Sequence, residues 1–108
     1  MPTLATNVVL EQIRPRLTEV FRDRLRGVVL FGSEARGDAE PDSDIDVLVL
    51  LEGPIDLGED IRVIVDALYP LQMQLLDRPL HALPADVKDF EAERLAFYRH
   101  VKGEGVFL

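Results

Sequence analysis

The stretch from Val28 to Leu51 constrains the fold of this chain more than any other part of it. Val28-Val29-Leu30-Phe31 is an unbroken apolar run of strand length, and Gly32-Ser33 ends it. A second apolar run, Ile45 to Leu51, is interrupted only by Asp46 near its start. Between the two lie Glu34-Ala35-Arg36-Gly37 and the turn-rich connector Asp38-Ala39-Glu40-Pro41-Asp42, which reads as exposed. The pattern predicts a strand ending at a glycine corner, a short helical turn, and a second strand entered through Ser43-Asp44-Ile45-Asp46.

Those residue types suit the binding of a phosphorylated ligand. Gly32 lacks a Cβ, so a ligand can approach the backbone and the chain can turn sharply out of the strand. Ser33 offers a hydroxyl and is expected to cap the short helix, whose first N–H groups face an anion favourably. Arg36 adds a planar cation matched to phosphate, and Gly37 lets the helix stop. Asp44 and Asp46 stand two apart on a strand, so both carboxylates leave one face, about 6.6 Å apart along it. Two carboxylates completed by substrate phosphates and water are a usual set for octahedral Mg²⁺. The reading is a nucleoside triphosphate held with its Mg²⁺.

Charge narrows the partners. Twenty acids against 12 Lys and Arg give a net charge of −8, a surface that repels a nucleic-acid backbone. A nucleotide carried with Mg²⁺ stays compatible, because the ion inverts the local sign. With no cysteine, disulfides and thiolate zinc sites are excluded. No apolar run approaches the roughly 20 residues of a membrane span, and the N-terminus lacks the basic start and apolar core of a signal peptide; a cytoplasmic protein is expected.

The flanks are read from periodicity. Val9, Ile13, Leu17, Val20, Phe21 and Leu25 recur at helical spacing, giving a helix from about Asn7 to Leu25, capped by Thr6 or Asn7 and kinked or split at Pro15. Its other face, with Arg14, Arg16, Arg22, Arg24 and Arg26, reads as solvated, and Gly27 as its end. Ile61, Ile64, Val65, Leu68, Leu71 and Leu75 predict a second long helix, which either stops at Pro70 or continues bent to about Leu76; Leu71–Leu75 also fits an alternating strand. Asp77-Arg78-Pro79 reads as a turn, Leu80–Leu83 as a short strand, and Val87 to Val101 as a last helix. Val106-Phe107-Leu108 is an apolar tail that either packs on the sheet or meets a partner. Residues 1–108 are thus expected to form one α/β domain, a small mixed sheet of three to four strands with helices mainly on one face.

Gly32-Ser33-x-Ala35-Arg36-Gly37 with Ser43-Asp44-x-Asp46 resembles the signature of the minimal nucleotidyltransferases of the DNA polymerase β superfamily. The resemblance implies that Gly32, Ser33, Arg36, Gly37 and Ser43 hold the nucleotide, that Asp44 and Asp46 bind the metal, and that AMP passes from ATP to a hydroxyl acceptor. It also implies a third acid from a later strand. The matching segment is Arg78-Pro79-Leu80-His81-Ala82-Leu83, which puts His81 at the acid's position, while Asp77 lies in the turn. Imidazole can accept a proton or ligate a metal but suits Mg²⁺ poorly, so turnover is expected to be reduced or partner-dependent. Many such domains are antitoxins that add AMP to a tyrosine of a small helical ribonuclease toxin of the higher eukaryotes and prokaryotes nucleotide-binding (HEPN) class. The alternative is a catalytically weak or inactive module that neutralises its partner by contact, and an oligomer is also compatible. A small-molecule adenylyltransferase fits less well, because such enzymes usually carry an additional helical domain.

Overall fold

The structure, a computed structural model, describes residues 4–75 and 77–108. Its first helix, α1 (Leu4–Phe21), runs through Pro15. Val9, Ile13, Leu17 and Phe21 are buried on one stripe spanning the proline. Burying each such side chain is worth about 1.5–3 kcal/mol, and an interior proline costs about 3 kcal/mol, so packing wins and the helix is not split.

The chain leaves α1 earlier than its periodicity suggests. Arg22 takes a positive φ of 52°, a 3-10 turn covers Arg22–Arg24, and strand β1 (Leu25–Phe31) begins three residues before the apolar run. Leu25 pairs with Leu51, so Gly27 lies inside the strand next to a bulge rather than ending a helix. The expectation that Arg24 lies on a solvated face is overturned as well. Its guanidinium grips both carboxylate oxygens of buried Asp60, at 2.9 and 3.1 Å, and donates to the carbonyls of Glu52 and Pro54.

After β1 come α2 (Ser33–Arg36), β2 (Ile45–Leu51) and α3 (Leu57–Gln74). The carboxylate of Asp56 caps α3 by accepting from the Glu59 N–H at 3.2 Å. α3 continues past Pro70 because Leu68 and Leu71 on either side of it are buried, which overturns a strand at Leu71–Leu75. The suggested continuation to Leu76 falls outside the described residues. Strand β3 (Leu80–Asp86) is longer than the four residues expected, and Pro84 is tolerated because β3 lies at the sheet edge. The single last helix is in fact two, α4 (Val87–Glu91) and α5 (Ala96–Glu104), broken where Glu93 takes a φ of 51°. The tail packs on the sheet: β4 (Val106–Phe107) pairs antiparallel with β1, and the Leu108 N–H donates to the Val28 carbonyl at 2.9 Å.

The mixed sheet has the order β3-β2-β1-β4, with β2–β3 parallel and the other pairs antiparallel. Alternation along β1 and β2 divides the core. Val28, Leu30, Ile45, Val47, Val49 and Leu51 meet the long helices α1 and α3 on one face. Val29, Leu48, Leu50 and Ala85 meet Phe90 of α4 and Val101 of α5 on the other. The short helices cover only part of that second face, and Asp46 and His81 emerge on it beyond them. No helix of the described residues is long and apolar enough to cross a membrane.

Candidate functional site

The sheet register builds the site. Phe31 of β1 pairs with Asp46 of β2, which pairs in parallel with His81 of β3, setting the three in one row across the sheet. Asp44, just before β2, joins from the same side, as period-two alternation requires. The His81 Nδ1 lies 3.3 Å from Asp44 Oδ2 and 3.7 Å from Asp46 Oδ1. One ligating atom from each of the three residues fits within 4.8 Å of the others, a spacing that one metal ion can span. Asp77 is exposed in its turn and takes no part in the cluster.

The glycine corner closes on these acids. Gly32 sits at φ 77°, in a region that L side chains rarely adopt, and a Cβ there would stand 2.6 Å from Asp46 Oδ2. Gly32 itself, and not Ser33, is the N-cap residue of α2, so Ser33 enters the helix instead of capping it. The Arg36 N–H donates to the Gly32 carbonyl at 3.1 Å, and Gly37, left-handed at φ 83°, ends the helix as expected. Ser43 shapes the loop between them, where its hydroxyl accepts from the Glu40 N–H at 2.8 Å and so closes the turn that delivers Asp44.

The electrostatics of the corner favour a cation. Burial raises the pKa of Asp46, and the neighbouring Asp44 charge raises it further, with His81 drawing it back. Like charges held this close, with one partly desolvated, are relieved by a bound cation or a proton. The groove beside them, about 440 Å³, has Asp46 and His81 on one side and Phe31, Val65, Leu80, Ala82, Leu83 and Phe97 as apolar walls. Phe97 of α5 meets Phe31 edge-on, with ring centroids 5.4 Å apart.

Two residues to which the motif assigns no role hold the site together. Arg78 places its Nη1 2.6 Å from Glu34 Oε1, while its Nε donates to the Ser43 carbonyl at 2.8 Å. This buried guanidinium ties the short helix after Gly32 to the residue before Asp44, just ahead of the strand bearing His81. Glu104, in the last turn of α5, reaches the corner itself. Its Oε2 accepts from the Gly32 N–H at 2.5 Å, and its carboxylate receives Arg36 Nη1 at 3.1 and 3.3 Å and His100 Nε2 at 3.2 Å. Burial raises the pKa of Glu104, but the Gly32 N–H, Arg36 and His100 outweigh it and hold the carboxyl below its ordinary value. Glu104 lies 72 residues from Gly32, so local reading offers no signal for it, whereas Glu34 and Arg78 at least stand within or beside the recognised segments.

Residues 10–105 match a family profile described as a nucleotidyltransferase domain. Among curated proteins, the chain is 33% identical over 73 residues to "Putative protein adenylyltransferase MJ0141" of Methanocaldococcus jannaschii, covering 67% of this chain and 74% of that protein. It is 45% identical over 45 residues to "Putative protein adenylyltransferase MJ0604" of the same organism, covering 42% of this chain and 45% of the relative. Among solved structures, a putative nucleotidyltransferase from Sulfolobus solfataricus superposes with a TM-score of 0.52 at 20% identity, over 99% of this chain and 87% of that one, a likeness of fold.

Proposed function

Because the chain belongs to the nucleotidyltransferase domain family, we propose that it is a Mg²⁺-dependent adenylyltransferase that moves AMP from ATP to a hydroxyl of a partner protein. The observation that carries this reading is the approach of Asp44 and Asp46, with His81, to the Gly32 corner: carboxylates for a metal lie beside a glycine turn bearing an N–H donor and a guanidinium. The donor set fits Mg²⁺ in its two carboxylates and fits it less well in His81, a softer ligand. When bound, Mg²⁺ supplies charge neutralisation at the phosphates and at the leaving pyrophosphate.

The chain's own groups do the positioning. The Gly32 N–H, Ser33 and Arg36 receive the terminal phosphates, and Gly37 and Ser43 shape the loop around them. Asp44 and Asp46 are the carboxylates that would hold the metal. His81 is placed to take the acceptor's proton, and Phe31 and Phe97 line the groove beside it. Rate enhancement comes from orientation and fixed charge. The net charge of −8 suits a protein acceptor better than a nucleic acid. We extend the proposal to a small helical HEPN toxin as that partner, met in the cytoplasm.

One observation favours a second reading. His81 stands opposite Asp46, where a third carboxylate would complete the metal set, which supports a module that neutralises its partner by contact with little transfer. Labelled ATP, Mg²⁺ and the neighbouring gene product, incubated with the chain and with its Asp44→Asn variant, separate the two. Transfer predicts a mass gain of one AMP on the partner, lost together with neutralisation in the variant while the complex still forms. Neutralisation that survives Asp44→Asn without a mass gain refutes the enzyme and leaves the binding module.

A further inference from the structure

We infer that Glu104 is a built-in competitor for the phosphate end of the nucleotide, its carboxylate occupying the anion position that Gly32 and Arg36 form, so that ligand binds only as Glu104 leaves. The inference rests on the nucleotide reading of the corner and adds a regulating group to it.

The contacts at Glu104 are those a phosphate oxygen would be given. A backbone N–H in a glycine turn donates to it, and a guanidinium spans both its oxygens from the other side. Charge-assisted bonds of this kind are about twice as strong as neutral ones. The Gly32 N–H has one direction, and a carboxylate oxygen at 2.5 Å fills it. Phosphate and Glu104 therefore cannot both accept from it in full.

Glu104 also brings a third negative charge toward Asp46, whose carboxylate feels it. A triphosphate arriving there adds more of the same sign, so entry and departure are coupled by repulsion as well as by the shared donors. The departing side chain has a place to go. It sits in the last helical turn between Gly103 and Gly105, with the exposed His100 one turn before it. The tail beyond is held independently, by the β4–β1 pairing and by Arg14 Nη1 donating to the Leu108 carbonyl at 3.1 Å. A side-chain swing thus opens the corner while the strand stays in place.

A site that is open only part of the time binds with an apparent affinity reduced by the open fraction. The Glu104→Gln substitution keeps the shape and an acceptor for the Gly32 N–H but removes the charge. We expect it to tighten binding about tenfold for two probes, Mg²⁺–tripolyphosphate and Mg²⁺ with the non-transferable ATP analogue whose α,β-bridge is a methylene. The factor should be the same for both, because the competition is at the phosphates and not at the base. Glu104→Ala should tighten both further, and an amide-resolved NMR spectrum reports whether each variant keeps the fold. In the wild type, the Gly32 amide proton should lie far downfield and move when tripolyphosphate is added. Equal or weaker binding by a folded Glu104→Gln variant, with the wild type binding both probes, overturns the competition while leaving the nucleotide reading intact. Binding of neither probe by the wild type or either variant refutes the nucleotide reading, and the competition with it.

Discussion

Removing Arg78 should damage this protein out of proportion to its place in a turn. The Glu34 and Arg78 side chains are only 4% and 11% exposed, so water cannot replace what either loses. Arg78→Met leaves the Glu34 carboxylate buried without its cation, and breaking such a pair from one side costs about 3–5 kcal/mol. The lower figure applies, because Glu34 stands on a four-residue helix that can shift toward solvent. About 3 kcal/mol is a large fraction of the 5–15 kcal/mol that ordinarily holds a domain together. With an unfolding entropy of about 2.1 cal/mol/K per residue, such a loss over this chain lowers Tm by roughly 13 °C. Thermal and urea denaturation followed by circular dichroism would measure it.

The same pair gives a check that separates stability from positioning. Adding Glu34→Leu to Arg78→Met removes the stranded charge and should restore most of the lost stability, since apolar pairs replace buried ion pairs at little net cost. A coupling of at least about 1.5 kcal/mol is expected from the double-mutant cycle. Nucleotide affinity should not recover, because the Ser43 carbonyl still lacks the Arg78 Nε that holds it beside Asp44. A single variant within about 1 kcal/mol of wild type, or a double variant as unstable as the two singles added together, would refute the assignment of Arg78 as a buried clamp.

Gly32→Ala should cost about 1–3 kcal/mol, because it forces a Cβ into a positive-φ position and to within 2.6 Å of Asp46 Oδ2; Tm and a Mn²⁺ titration read the loss of stability and of metal affinity together. His81→Asp should raise Mg²⁺ affinity, since the position pairs with Asp46 and adds a hard oxygen ligand to the two present; an unchanged or weaker Mg²⁺ isotherm counts against the metal cluster. Asp60 gives the pH prediction. The hydrogen bond from Arg24 lowers its folded pKa, with burial opposing and the Asp56 N–H assisting. Its contribution to stability is therefore complete above the unfolded value of about 3.9 and fades as pH falls through the depressed folded value. The Tm gap between wild type and Asp60→Asn should hold near neutrality and close in acid, and a gap that widens on acidification would contradict the pairing.

The site divides by the distance over which its information is written. Gly32, Arg36, Gly37, Asp44 and Asp46 lie within one strand–turn–strand passage, where alternation and glycine conformation act over a few residues, and the structure brings Asp44 and Asp46 together there. His81 is legible only through the matching position on a later strand, and the parallel register delivers it to Asp46. Local patterning misleads where tertiary burial competes with propensity. Pro15 and Pro70 each sit in a helix whose buried stripe outweighs one missing backbone bond, and Leu25 leaves its helical repeat to pair with Leu51. Arg24 looks like solvated charge in the sequence and Arg78 like a turn residue, because nothing nearby reveals that Asp60 and Glu34 are buried. Glu104 is the extreme case: a lone acid at a helix end reaches the Gly32 N–H where β4 brings the chain back alongside β1. Within this fold, then, the residues proposed to contact a ligand are set by short-range pattern, while Glu104, proposed to control access, is set by the order of strands. Substitutions in the tail strand should accordingly alter nucleotide affinity without touching the motif. Phe107→Asp, which leaves every motif residue in place but weakens the pairing that carries Glu104 to Gly32, should tighten tripolyphosphate binding in the folded variant, and binding no tighter than wild type would break the link between strand order and access.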